Sequence, residues 1–255
     1  MRFQGAYHTD IGIRKKTNQD GLLLKTARTP DGEVGLFAVC DGMGGLADGE
    51  LASATVVRGM DQWFDEELPV ILQSETWAAE LQSSLESSIF ALNEKLYAYG
   101  ELKQAQLGTT ITALLVIFSK SYILQIGDSR AYHIATTSTT QLTKDQTLVA
   151  REVERGNLTE EQAKKDPRRN ILLQCVGATK DLDVVLTAGK AEAGTYLLCT
   201  DGFYHKISEQ EILENLQPEK LASQAQMTEK LTALIELAKS RKEIDNISAI
   251  LVKVD

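Results

Sequence analysis

The chain predicts an α+β fold in which antiparallel sheets are flanked by helices. Two observations carry this. Strand-like and helix-like segments arrive in blocks rather than in strict alternation, which favours antiparallel sheets over a doubly wound parallel sheet. Three apolar runs, at 111–118, 122–126 and 130–134, follow one another through short turns, the pattern of an antiparallel meander. At 255 residues the chain fits one large domain or two small ones. Such a length buries roughly three-quarters of the unfolded surface.

Taken in order, residues 35–40 (GLFAVC) form a short apolar run bounded by glycine and aspartate, a buried strand. After a glycine-rich loop at 41–50, residues 51–68 place Ala52, Val56, Met60 and Phe64 on one helical stripe. Residues 77–99 repeat that period through Leu81, Leu85, Ile89, Leu92 and Leu96, a long helix ending near Gly100. After the three apolar runs come short helices at 148–155 and 159–165. Thr159-Glu160-Glu161-Gln162 reads as a capping box opening the second, and Pro167 follows its end. Residues 184–186 and 196–199 read as strands. Ser208, with Glu211 three residues on, opens a helix; 219–240 is another, and 247–254 (ISAILVKV) closes the chain as a strand. No solenoid repeat or Pro/Gly/Ser-rich linker interrupts this order.

Composition excludes several classes. Hydrophobic residues at 43% and charged residues at 25% are ordinary for a soluble globular protein. A net charge of -9 without a basic stripe argues against nucleic-acid binding. No apolar run approaches the roughly 20 residues that cross a bilayer, and the first residues lack a signal peptide's apolar stretch. Cys40, Cys175 and Cys199 are scattered in apolar runs without a Cys-x-x-Cys pair, as reduced core cysteines are. A cytoplasmic protein is the expectation.

Chemistry concentrates in four places where an aspartate beside glycine or asparagine edges an apolar run: Asp41-Gly42, Gly127-Asp128, Asp201-Gly202 and Asp245-Asn246. A buried strand ending in a carboxylate gains no stability from it, because an unpaired buried charge is costly. Four such endings suggest convergence on hard divalent cations with oxygen ligands, Mg²⁺ or Mn²⁺. Zinc is disfavoured: His8, His133 and His205 are isolated along the chain, and no His-Glu-x-x-His occurs. Two such cations, about 3.5–4 Å apart, polarise a phosphoryl group and activate water. That chemistry needs no protein nucleophile, and no Cys-x₅-Arg loop or Gly-x-Ser-x-Gly elbow is present. The glycines of Asp41-Gly42-Met43-Gly44-Gly45 let backbone approach the ions, so that the Gly42 carbonyl is a candidate ligand.

Together these residues resemble the metal-dependent protein phosphatases of the PPM (type 2C) family, in its bacterial single-domain branch. The pattern runs in order through Asn18-Gln19-Asp20, Asp41-Gly42-Met43-Gly44-Gly45, Gly49-Glu50-x-Ala52, Gly108-Thr109-Thr110, Gly127-Asp128-Ser129-Arg130, Thr200-Asp201-Gly202 and Asp245-Asn246. The resemblance implies one domain over 1–255, a four-layer αββα sandwich with metals in a cleft at one sheet edge, and a flap at about 146–177. It implies that Asp41 bridges two core metals, that Asp201 and Asp245 complete one shell, and that Asp20 with the Gly42 carbonyl completes the other. Asp128, with Asp201, matches the position of a third, weaker metal, and Asn246 helps to position the site. Asp41, Asp201 and Asp245 would thereby hold the activated water that attacks phosphoserine or phosphothreonine in line, without a phosphoenzyme.

Some positions depart from the pattern. Lys15 stands where the family usually has the phosphate-holding arginine, and Arg14 lies one residue earlier; the two are expected to share that role. Leu46 and Gln146 replace common histidines, and Lys242-Glu243-Ile244 lacks the usual glycines. Arg151, Arg155, Lys164, Lys165, Arg168 and Arg169 make the flap basic, either as solvated helix faces or to capture a phosphorylated segment. The implied partners are phosphorylated proteins and a cognate Ser/Thr kinase, with the chain a monomer. Two rivals stay open: a signalling module that keeps the fold without the chemistry, and a metal phosphoesterase acting on small phosphates.

Overall fold

The computed structural model describes residues 2–45 and 48–254. Leu46, one of the departures noted above, lies outside the described residues. In chain order the strands are β1 (Phe3–Asp10), β2 (Asp20–Thr29), β3 (Gly32–Gly44), β4 (Leu107–Thr109), β5 (Ile111–Ile117), β6 (Lys120–Ile126), β7 (Arg130–Ile134), β8 (Thr139–Gln141), β9 (Val185–Lys190), β10 (Gly194–Cys199) and β11 (Ile247–Val254). The α-helices are α1 (Asp48–Glu66), α2 (Leu68–Ile71), α3 (Trp77–Lys103), α4 (Leu148–Glu154), α5 (Glu160–Ala163), α6 (Asp201–Tyr204), α7 (Glu209–Leu216) and α8 (Gln224–Ser240).

Two antiparallel sheets result. One has the order β1-β11-β10-β7-β8; the other runs β2-β3-β5-β6-β9, with β4 pairing β3. Three apolar clusters stack them into four layers. Phe37, Val39, Leu114, Val116, Leu198, Ile250 and Val252 pack between the sheets. Leu36, Ala38, Ala113 and Leu115 face the opposite way, against Val56, Met60, Leu81 and Ile89 of α1 and α3. Leu197, Ala249 and Leu251 likewise face Ile212, Leu231 and Ile235 of α7 and α8. This is the αββα sandwich. Side chains alternate across a strand, so a strand covered on both faces reads as an unbroken apolar run.

Several element expectations shift. The meander breaks after β6: β5 and β6 form a hairpin, but β7 pairs β10 in the other sheet. Gly127, at φ +101°, supplies the left-handed turn that carries the chain across. The sequence reading passed over β1 and β2, whose mixed burial reflects their edge positions. The helix expected over 219–240 begins only at Gln224, because the Ser223 side chain accepts from the Gln226 N–H; Pro218–Lys220 is a separate 3₁₀ turn. Helix α3 passes Gly100 and closes where Gln104 turns left-handed at φ 52°. The capping boxes at Thr159 and Ser208 are both formed. No helix among the described residues is long and apolar enough to cross a membrane.

Candidate active site

The sheet registers assemble the acidic residues. In the β2–β3 pair, Asp20 stands directly opposite Asp41. Asp201 follows β10, whose partner β11 begins just after Asp245 and Asn246. Asp128 sits in the turn that leaves β6 for β7.

Hydroxyls of the Gly-Thr-Thr and Asp-Ser motifs bind these ends together. The Asp41 N–H donates to Thr110 Oγ1 at 2.9 Å, and Thr109 Oγ1 donates to the Asp41 carbonyl at 3.0 Å. Thr110 Oγ1 and Ser129 Oγ lie 2.8 Å apart, joining Asp41 to the Asp128 turn. Across the cleft, Thr200 Oγ1 donates to Asp20 Oδ2 at 3.0 Å and accepts from the Ser248 N–H. One buried side chain, Asn246, accepts from the Gln19 N–H and donates to the Ile11 and Thr17 carbonyls. At Gly42 a Cβ would lie 2.1 Å from the Gly49 carbonyl oxygen and 2.6 Å from that of Gln19. Only glycine fits this close approach of backbones.

The acids raise one another's proton affinity. Burial, then the charges of Asp20, Asp201, Asp128 and Asp245, push the Asp41 carboxyl well above its ordinary range. Burial pushes Asp20 up to about 7, aided by Asp201 and Asp245 and opposed by the Ser248 and Thr200 hydroxyls. Asp128 is raised well above its ordinary range by burial and then by Asp201 and Asp145. Burial likewise raises Asp201, against the opposing charge of His205. Oδ1 of Asp20 and Oδ1 of Asp201 are buried with no hydrogen-bond partner. Orphaned buried oxygens are costly, and a hard cation is the partner that would repay both the lost hydrogen bonds and the mutual repulsion. Among the described residues no three acid, imidazole or thiol groups close to the spacing of one ion's ligand shell. The acids thus share a negative pocket rather than a single point, and their all-oxygen chemistry fits Mg²⁺ or Mn²⁺.

Lys15 enters this pocket. Its Nζ is 2.5 Å from Asp245 Oδ1. Burial works against the ammonium, but the Asp245 contact and the charges of Asp41 and Asp201 outweigh it and hold it protonated. Arg14 is exposed and forms no ion pair with any described residue, so the structure brings Lys15 to the acids and leaves Arg14 outside.

The sequence reading gave no structural role to several supporting residues. Gln146 takes up the Gly127 turn: its Oε1 accepts from the Gly127 N–H at 2.6 Å and its N–H donates to the Gly127 carbonyl at 3.0 Å. Its Nε2 donates to the Asp183 carbonyl, and its own carbonyl accepts from Leu173 N–H. Tyr204 Oη donates to the Asp128 carbonyl, with the Arg130 guanidinium stacked 3.7 Å from its ring centre and paired through two bonds to Asp145. The buried Glu243 accepts from the Ile244 and Asp245 N–H groups, while Lys242 takes the left-handed conformation (φ 65°) where the family pattern has glycine. His205, isolated in sequence, lies one helical turn from Asp201, Nδ1 to Oδ2 3.8 Å. Of the cations in the segment expected to be a flap, Arg155, Lys164 and Arg168 are paired to Glu152, Glu161 and Asp166 of the same segment, which favours solvated helix faces for those three.

A family model for protein phosphatase 2C matches residues 5–251. The chain belongs to the protein phosphatase 2C family. Among its relatives in this family, the serine/threonine phosphatase stp of Listeria monocytogenes serovar 1/2a is 32% identical over 98% of this chain and 95% of its own. The serine/threonine protein phosphatase PstP of Mycobacterium tuberculosis is 31% identical over 98% of this chain, which spans only 44% of that protein's length. A solved PstP catalytic domain in complex with two manganese ions superposes with a TM-score of 0.80 at 30% identity, covering 99% of each chain.

Proposed function

We propose that this chain is a metal-dependent protein phosphatase that hydrolyses phosphoserine and phosphothreonine with water, opposing a Ser/Thr kinase. The observation that carries the reading is the pair of orphaned buried oxygens, on Asp20 and Asp201, inside a pocket of mutually repelling carboxylates. A stability-selected core would not keep such a pocket. Membership of the protein phosphatase 2C family and the two manganese ions of the PstP structure support the same chemistry.

In this reading Asp41, Asp201 and Asp245 would hold one cation, Asp41, Asp20 and the Gly42 carbonyl a second, and Asp128 with Asp201 a third, weaker one. When bound, Mg²⁺ or Mn²⁺ supplies a nucleophile from water and neutralises charge on the phosphoryl oxygens. The chain's own residues do the positioning. Thr110 and Ser129 hold Asp41 and the Asp128 turn at fixed separation, and Thr200 holds one oxygen of Asp20 so that the other points free. Lys15 offers a point charge over Asp245, where the substrate oxyanion would land. The whole domain acts as one unit over 1–255, with 146–177 as a flap beside the site. A monomer in the cytoplasm is the working form.

The test is hydrolysis of p-nitrophenyl phosphate and a phosphothreonine peptide with Mn²⁺. Asp41→Ala or Asp201→Ala should abolish it, a loss of about a thousandfold or more. Undiminished turnover in EDTA would overturn the mechanism.

A further inference from the structure

Residues 11–19, between β1 and β2, form a loop pinned at both ends by one side chain. Asn246 bonds the Ile11 carbonyl at 3.0 Å, the Thr17 carbonyl at 3.1 Å and the Gln19 N–H at 3.0 Å. An Asx turn, with the Gly12 N–H donating to Asp10 Oδ1 at 2.7 Å, fixes the entry. The tip, Arg14-Lys15-Lys16, is therefore presented from a rigid base and not from a floppy connection. Beneath it lies a cavity of about 480 Å³ lined by Arg14, Lys15, Lys16, Thr17, Gln19 and Ile244. No acid lines it.

Lys15 is committed to Asp245, but Arg14 and Lys16 form no ion pair with any described residue. In a chain of net charge -9, two cations without an ion-pair partner among the described residues, beside a negative pocket, are poised for an anion from outside. Their chemistry suits a phosphate. A phosphoryl group carries about -1.5 to -2 at neutral pH, which two cations balance and a single carboxylate does not fill. Arg14 supplies the planar fork that grips such a group, and Lys16 a point charge. Lys15 lines the cavity and also contacts Asp245, so the cavity adjoins the catalytic pocket directly.

We propose that this cavity is a second phosphate subsite. It takes a phosphorylated residue within about three residues of the scissile one, a reach of roughly 10 Å along an extended peptide. Multiply phosphorylated segments are then the preferred substrates. The inference rests on the phosphatase reading above and narrows its substrate class.

The experiment compares kcat/KM with Mn²⁺ on four peptides of one sequence. One carries a single phosphothreonine, one a second phosphothreonine two residues away, one glutamate at that second position, and one a second phosphothreonine ten residues away. The close pair should be preferred about tenfold over the single phosphate, and the other two peptides should match the single one. Arg14→Ala with Lys16→Glu should bring the preference to about one, and Lys16→Glu alone should leave p-nitrophenyl phosphate turnover unchanged. Equal rates on single and close double peptides overturn the subsite, as does a preference that survives the double substitution. A glutamate peptide as good as the close pair overturns the phosphate assignment, and a distant pair as good overturns the local cavity. If neither p-nitrophenyl phosphate nor any peptide is hydrolysed, the phosphatase reading falls. The subsite is then decided by fluorescence anisotropy of the single and close double peptides on the wild-type and Arg14→Ala/Lys16→Glu proteins. Equal binding of the two peptides rejects it.

Discussion

Lys15 Nζ lies 2.5 Å from Asp245 Oδ1, and the same ammonium feels the charges of Asp41 and Asp201. The side chain proposed to meet the substrate oxyanion therefore also sits where a cation would claim Asp245. The two demands oppose each other, and one substitution separates them.

Replacing Lys15 with alanine removes the competitor and the anion's landing charge together. Mn²⁺ binding measured by calorimetry should tighten several-fold, while KM for p-nitrophenyl phosphate rises about five- to tenfold. Weaker Mn²⁺ binding in this variant would show that Lys15 organises the carboxylates rather than competing for one.

The acid pocket also sets an unusual pH dependence. The folded Asp20 carboxyl is raised to about 7 from an ordinary 3.8, and Asp41 and Asp128 are raised as well. Between those values the folded protein holds more protons than the unfolded chain, so stability falls as pH rises from about 4 to 7. The slope is about 1.4 kcal/mol per pH unit for each proton of difference. Asp166 and Glu211, both held down to about 2 by arginine partners, act oppositely and lose their contribution only below pH 4. In EDTA, the melting temperature should be higher at pH 5 than at pH 7.5. With Mn²⁺, which competes with those protons, the stabilisation it confers should grow over the same interval. A melting temperature that climbs toward neutral pH in EDTA would contradict the raised acids.

Gln146 offers a third test. Its side chain satisfies the buried Gly127 N–H and ties that turn to Asp183, while its backbone carbonyl accepts from the Leu173 N–H. Gln146→Ala should cost about 1–3 kcal/mol in urea unfolding, because it leaves a buried donor unpaired. Amide exchange should quicken at Gly127. If exchange there is unaltered, the Asp128 turn is held by Tyr204 and Ser129 without it.

Much of the site was legible in the chain because its parts are local. An aspartate next to glycine at a strand end announces itself wherever the strand is buried on both faces, as at Asp41 and Asp201. Asp20 was harder: its strand, β2, is an edge strand of mixed burial, and only the ordered family pattern singled it out. The supporting hydroxyls of Thr110, Thr200, Ser129 and Ser248 looked like ordinary strand residues, since a hydroxyl's role depends on what faces it across a sheet. Lys242 shows the converse. The glycines usual before the last aspartate are absent, yet Lys242 takes a left-handed conformation and Glu243 fixes the two following N–H groups.

By itself the sequence determined the buried strands, the capped starts at Thr159 and Ser208, the strand-end aspartates and the family. These depend on periodicity and on residues a few positions apart, where chain geometry permits few alternatives. Tertiary structure alone decided that β7 leaves β6 for the opposite sheet, that Asp20 faces Asp41, and that Lys15 rather than Arg14 reaches Asp245. Adjacent side chains in a turn diverge in direction, and strand partners are chosen by contacts distant in sequence. The four strand-end carboxylates were visible one by one; only the packed sheets make them repel.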